Sequence, residues 1–226
     1  MIKNACGMLA ASLLLLASCN QTSTPAVTTD TAVNAAPSAS AASLLAIQQA
    51  LSDLRASRAV VEAGGAIPED EAGQPVNLDA LILSYEADLA EASRAALVAP
   101  TLHTLDAYSQ NYFVIVDDDH FKANRANWTH YFPGYNWTTD GCSGPASATG
   151  YADNFYWPCV QHDFGYRNAS FTGNHNETAR SHVDDALQRH TNQLCSHYAV
   201  LAKPGCYAAS KAFFLAVRAR GASSFH

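Results

Sequence analysis

The stretch Cys159-Val160-Gln161-His162-Asp163-Phe164-Gly165-Tyr166-Arg167-Asn168 decides how the chain is read. It joins an imidazole, which titrates near neutral pH, to a carboxylate on a segment that reads as helix. Helical spacing puts Cys159, His162, Asp163 and Tyr166 on one side, about one turn apart. One face therefore carries a cross-linking thiol, a base, a metal-ligating oxygen and a phenol. A His-Asp dipeptide alone is common and carries little information.

The flanks make the reading specific. Upstream lies Tyr135-Asn136-Trp137-Thr138-Thr139-Asp140-Gly141-Cys142-Ser143, and downstream Ser181-His182-Val183-Asp184-Asp185-Ala186-Leu187. Together the three stretches resemble the secreted phospholipase A2 enzymes of bacteria and fungi, over roughly residues 124–221. The resemblance includes an acidic residue before the first Cys and the Cys-x-x-His-Asp-Phe-Gly-Tyr-Arg-Asn run. It implies an all-α fold. The core would be phospholipase A2-like, with two long antiparallel catalytic helices and disulfides, preceded by an N-terminal helical extension. It also implies calcium-dependent hydrolysis of the sn-2 ester of glycerophospholipids. The residues by themselves give less: a metal-assisted hydrolase with a His/Asp base.

Ester hydrolysis by water needs a base, a group that orients it, and positive charge where the oxyanion develops. His162 is the candidate base. Asp184, on the next long helix, is the candidate orienter, held there by two antiparallel helices and a short turn. Helical geometry favours Asp184 over Asp185 in part, because Asp185 rotates toward solvent; the resemblance also aligns Asp184. Calcium is the implied electrophile, with Asp140, the backbone carbonyl of Gly141 and Asp163 as the ligands the resemblance carries over. Tyr166 serves either as a hydrogen-bond partner of the metal loop or Asp pair, or as a core aromatic. The resemblance, together with nearness in sequence, pairs Cys142 with Cys159 and Cys195 with Cys206. The first pair closes a loop worth roughly 3 kcal/mol by loop entropy. It would also hold the Asp140 loop against the His162 helix.

Other chemistries fit worse. His175, His182, His190 and His197 share a helical stripe, but seven-residue steps stand about 10 Å apart along the axis, too far to share a zinc ion. They read as solvated or boundary histidines. Gly141-Cys142-Ser143-Gly144 lacks the second spacer of the serine-hydrolase elbow. Asp117-Asp118-Asp119 reads as a solvated turn capping the following helix, since it lacks the alternation and Gly turn of a calcium loop. A net charge of −7 argues against nucleic acid as a partner and against simple electrostatic attraction to anionic lipid; a phospholipid membrane as partner is what the resemblance implies. From another class comes a non-catalytic calcium- or lipid-binding surface lipoprotein.

The rest of the chain reads as follows. Residues 1–18 have the form of an export signal, with Lys3 before an apolar stretch too short to span a bilayer. Leu16-Ala17-Ser18-Cys19 looks like a lipobox, making Cys19 the lipidation site of an exported, membrane-anchored or secreted protein. Residues 19–43, rich in Thr, Ala, Ser and Pro, read as a flexible tether. Residues 44–100 read as a helical hairpin. Its first helix carries Leu44, Ile47, Leu51, Leu54 and Val61, and its second is capped by Asn77 and runs from Leu78 to about Val98. That hairpin packs on the catalytic part, occludes its cleft as a pro-region, or binds a partner. Residues 101–226 form the catalytic domain. There, 101–111 reads as a short helix, Tyr112–Val116 as a β-prone run, and Phe121–Tyr131 as a helix with Trp128 and Tyr131 on its apolar side.

Overall fold

Residues 39–70, 72–95, 112–145 and 150–225 are described by the computed structural model. The leader, Cys19, the expected helix at 101–111 and the end of the expected second helix lie outside them.

Helix α1 (Ala39–Glu62) begins inside the stretch expected to be a tether. Its buried stripe is Ile47, Ala50, Leu51 and Leu54, a 3–4 residue repeat that gives one apolar face. Helix α2 (Leu78–Ala95) starts where the sequence predicts, with Asn77 Oδ1 accepting from the Ala80 amide at 3.0 Å. Helix α3 spans Asp118–Tyr131, α4 Tyr156–Arg167, α5 Glu177–Ser196 and α6 Lys203–Arg220. A 3-10 turn, Gly221–Ser224, follows. No strand occurs among the described residues, so the fold is all-α.

Helix α5 sits between two apolar clusters. Leu187 and Cys195 join Leu51, Leu54, Leu81, Ile82 and Tyr85 of the hairpin with Tyr207 and Phe213 of α6. Val183 and Ala186 join Phe113, Phe121, Tyr135, Val160, Phe164 and Tyr166. A helix covered on both sides buries its polar residues too, here Gln188, Arg189, His190, Thr191 and Asn192. Each then needs a partner. Tyr85, fully buried, donates to Asn192 Oδ1 at 2.8 Å, and Lys211 pairs with Asp88 at 2.5 Å. The hairpin therefore shares the core of α5 and α6.

The expected disulfides are present. Cys142–Cys159 ties the loop before α4 to that helix, and Cys195–Cys206 ties α5 to α6. Helices α4 and α5 meet closely at Gly165, where an added Cβ would lie 2.6 Å from a Val183 methyl.

Three expectations are corrected. Residues 112–115 form a helical turn, not a strand, closed by the Val116 amide on the Tyr112 carbonyl at 3.0 Å. The reason lies outside the segment. Gln161 Nε2 donates to the carbonyls of Phe113 (3.1 Å) and Val116 (2.8 Å), and Arg189 to that of Ile115 (3.0 Å). Side chains of α4 and α5 thus take up the carbonyls that a strand would offer to a neighbour, and tertiary contacts override β-propensity. Tyr131 is 72% exposed, because α3 turns only its Phe121 face inward. Within the acidic triplet Asp117 caps α3, as expected, but Asp118 pairs with His190 at 3.1 Å.

Candidate active site

His162 lies in the middle of α4, only 9% exposed, with Nε2 2.9 Å from Asp184 Oδ1 on α5. Asp184 has no solvent exposure. Tyr166, one turn after His162, donates its phenol to the same Oδ1 at 2.6 Å. Both readings of Tyr166 therefore hold, since the ring is buried in the core and the hydroxyl reaches the Asp. Burial, then the Asp184 carboxylate, keep that phenol protonated well above its ordinary range.

The second oxygen of Asp184 is held by two guanidiniums. Arg180 Nη1, one turn earlier on α5, lies at 3.1 Å, and Arg218 Nη1 on α6 at 3.0 Å. Glu177 accepts from both, at 2.8 and 2.9 Å from Arg180 and 2.8 Å from Arg218. Hydrogen bonds to Glu177 raise the proton affinity of Arg180 most, against burial. For Arg218 burial acts against the charge, and the bonds to Asp184 and Glu177 outweigh it.

Beside the dyad runs the loop 136–142, clamped at both ends to α4. The Asn168 side chain accepts from the Asn136 amide at 2.7 Å and donates to its carbonyl at 3.0 Å, while Cys142–Cys159 closes the other end. Between these clamps Asp163 Oδ2 accepts from Thr139 Oγ1 at 2.5 Å and from the Asp140 amide at 3.1 Å. Gly141 takes φ +72°, a left-handed conformation that favours glycine. Arg167 donates to Thr138 Oγ1 at 2.6 Å and to Asp140 Oδ1. His162 and Asp163, which anchors the Asp140 loop, thus sit side by side on one helix, α4.

The family model for prokaryotic phospholipase A2 matches residues 110–221. That part of the chain belongs to the prokaryotic phospholipase A2 family. No curated protein matches the chain. The matched part holds both disulfides, the loop and the dyad, and its family makes it a phospholipase A2-type lipid hydrolase. Phospholipase A2 enzymes are generally calcium-dependent, and a lipid is their substrate. No helix among the described residues is long and apolar enough to cross a membrane.

The phospholipase A2 loop suits a hard cation. Burial pushes the Asp163 carboxyl above its ordinary range, and the Asp140 charge pushes it the same way. Asp140 lies below its ordinary value; burial opposes this, but its contact with Asp163, its own backbone amide and the Arg167 guanidinium outweigh it. Two carboxylates held against each other are relieved by a divalent ion, and oxygen donors are what calcium takes. Among the described residues no group of three or more His, Cys, Asp or Glu converges into a metal cluster, so any site here depends on backbone oxygens as well.

The four histidines of the α5 stripe correct the sequence reading in part. His175 and His197 are exposed. His182 is half-buried, and burial followed by Arg189 pushes it down to about 4, so it is neutral. His190, expected at the boundary, is 1% exposed because α5 is covered on both sides. Asp185, expected toward solvent, is half-buried for the same reason. Arg180, Arg218 and Glu177 carry no motif, and only the i, i+4 spacing of Arg180 to Asp184 hinted at a contact.

Proposed function

We propose that the protein is an exported, calcium-dependent phospholipase A2 that hydrolyses the sn-2 ester of glycerophospholipids with water activated by His162 and Asp184. The observation that carries this is the 2.9 Å contact of His162 Nε2 with a fully buried Asp184, where His162 immediately precedes Asp163, the α4 carboxylate that holds the loop. With Nε2 donating to Asp184, Nδ1 is the acceptor nitrogen. It takes a proton from water as the water oxygen attacks the ester carbonyl carbon. The imidazolium that forms is stabilised by the Asp184 carboxylate, as in other His–Asp pairs. When the ester C–O bond breaks, His162 returns the proton from Nδ1 to the departing glycerol oxygen, releasing a fatty acid and a lysophospholipid.

Asp140, Asp163 and the Gly141 carbonyl are the residues that would hold calcium, which when bound would supply positive charge to the carbonyl oxygen and the lipid phosphate. Thr139 and Arg167 keep the two carboxylates in register with α4. Export and attachment through Cys19 belong to the same proposal, and rest on the leader's sequence pattern.

The test is fatty-acid release from phospholipid vesicles by the soluble domain, with calcium and with excess chelator. Release that needs calcium and is lost in His162→Ala supports the reading. Activity that survives either change overturns it. Calcium binding without release would instead favour a non-catalytic lipid-binding lipoprotein.

A further inference from the structure

We infer that Phe225 is a positioning residue: with Gly221 it closes the segment 221–225 over the Tyr166 phenol and so holds that hydroxyl on Asp184 Oδ1. The inference rests on the reading of His162 and Asp184 as the catalytic pair, and adds what keeps water from the Tyr166 side of that pair. Phe225 belongs to none of the three sequence stretches that point to the site, and it stands past the part of the chain that the family model matches.

Phe225 is out of step with its neighbours. Ala222, Ser223 and Ser224 are exposed, whereas Phe225 is only 3% exposed. Its ring meets the Tyr166 ring edge-on, with 5.0 Å between centroids and 81° between planes. The His175 ring, from the turn before α5, lies 5.8 Å from it at 33°. The chain thus leaves α6, makes one exposed 3-10 turn and returns a single apolar side chain to the cluster that holds Tyr166.

Gly221 opens the same segment. A Cβ added there would overlap the Tyr166 hydroxyl oxygen and stand 2.9 Å from the ring. Its φ of −72° is open to any residue, so the phenol and not the backbone selects against a side chain. The hydroxyl that reaches Asp184 Oδ1 at 2.6 Å therefore lies against the Gly221 main chain.

A buried hydrogen bond keeps its strength while water is excluded. Were the segment to lift, water would compete for the phenol and for Oδ1, and the carboxylate beside His162 would lose one of its fixed contacts. A stretch with few buried apolar contacts opens easily. Between Gly221 and Phe225 no large side chain is buried, so the Phe225 ring is what keeps the segment down.

The experiment uses the full mature chain and follows the Tyr166 hydroxyl proton by NMR, identified by its loss in Tyr166→Phe. In the parent it is expected as a separate, slowly exchanging signal at neutral pH. In Phe225→Ala, and independently in Gly221→Ala, it is expected to broaden into the water signal. Kinetics on a short-chain monomeric phospholipid supply the second reading. Phe225→Ala is expected to lower kcat about fivefold with KM nearly unchanged, and to lower it no further when Tyr166 is already replaced by Phe. A merely structural role would give two falls that multiply. Falls that multiply overturn the proposal, and so does a folded Phe225→Ala that keeps the parent's hydroxyl signal. A parent whose Tyr166 hydroxyl exchanges too fast to be seen overturns it as well, even if neither strap variant folds. A parent that releases no fatty acid, yet shows a protected hydroxyl that Phe225→Ala exposes, sinks the phospholipase reading and leaves this one standing.

Discussion

Tyr166 donates its hydroxyl to Asp184 Oδ1 at 2.6 Å, the oxygen that also faces His162 Nε2 at 2.9 Å. The two contacts on one oxygen fix the carboxylate plane. Tyr166→Phe removes one of them while keeping the packing. The expected result is a several-fold fall in kcat and a loss of about 1 kcal/mol in stability, read by steady-state kinetics and urea unfolding.

Neighbouring aspartates should respond differently. Asp184→Asn leaves two guanidiniums facing a neutral amide in a buried site. It should remove nearly all turnover and cost on the order of 3 kcal/mol or more in denaturant unfolding.

Asp185 is half-buried, and burial pushes its carboxyl up to about 7, with Arg218 pulling the other way. Its unfolded value is near 4, so the folded state binds the proton more tightly between roughly pH 4 and pH 7. This group's contribution is most favourable below that window and falls as pH rises through it. Asp185→Asn should therefore raise Tm above the parent at about pH 8 and leave it unchanged at about pH 4, by scanning calorimetry at the two values.

At Gly165 α4 and α5 meet closely, with a Val183 methyl 2.6 Å from where a Cβ would stand. Gly165→Ala should push the helices apart, destabilise the fold by roughly 1–3 kcal/mol and lengthen the His162–Asp184 contact. Activity should fall further than the fraction unfolded explains, as seen by comparing kcat with the folded population. Full activity in a stable variant would contradict the packing described.

The hairpin makes a prediction against occlusion. Its Tyr85, Leu54 and Ile82 belong to the same apolar cluster as Leu187 and Tyr207. A chain starting at residue 101 should expose that face and fail to fold, rather than gain activity. Circular dichroism and vesicle assays on the short and long chains decide between the two. Tyr85→Phe should cost about 1–3 kcal/mol, removing the hydroxyl that reaches the Tyr207 carbonyl and Asn192 Oδ1 and leaving Ser210 as the donor to Asn192.

Much of the site was legible because it is local. The His-Asp pair, the helix cap at Asn77 and the cysteine pairs all rest on residues a few positions apart or on a recurrent motif. What escaped is long-range. Tyr112–Val116 looks like a strand until Gln161 and Arg189 take its carbonyls. His190 looks like a boundary residue until Asp118 meets it from α3.

Helical periodicity and capping chemistry follow from the order of residues alone, since each acts over a turn or two of backbone. They determined the hairpin helices and the His162 helix, while the all-α fold and the pairing of the cysteines came with the family resemblance. Only the tertiary structure decided that α5 is covered on both faces, that the hairpin completes its core, and that Arg218 arrives beside Asp184 from the last helix. The physical reason is that burial and charge compensation depend on what the fold brings together. A fully buried carboxylate needs cations that sequence distance does not announce.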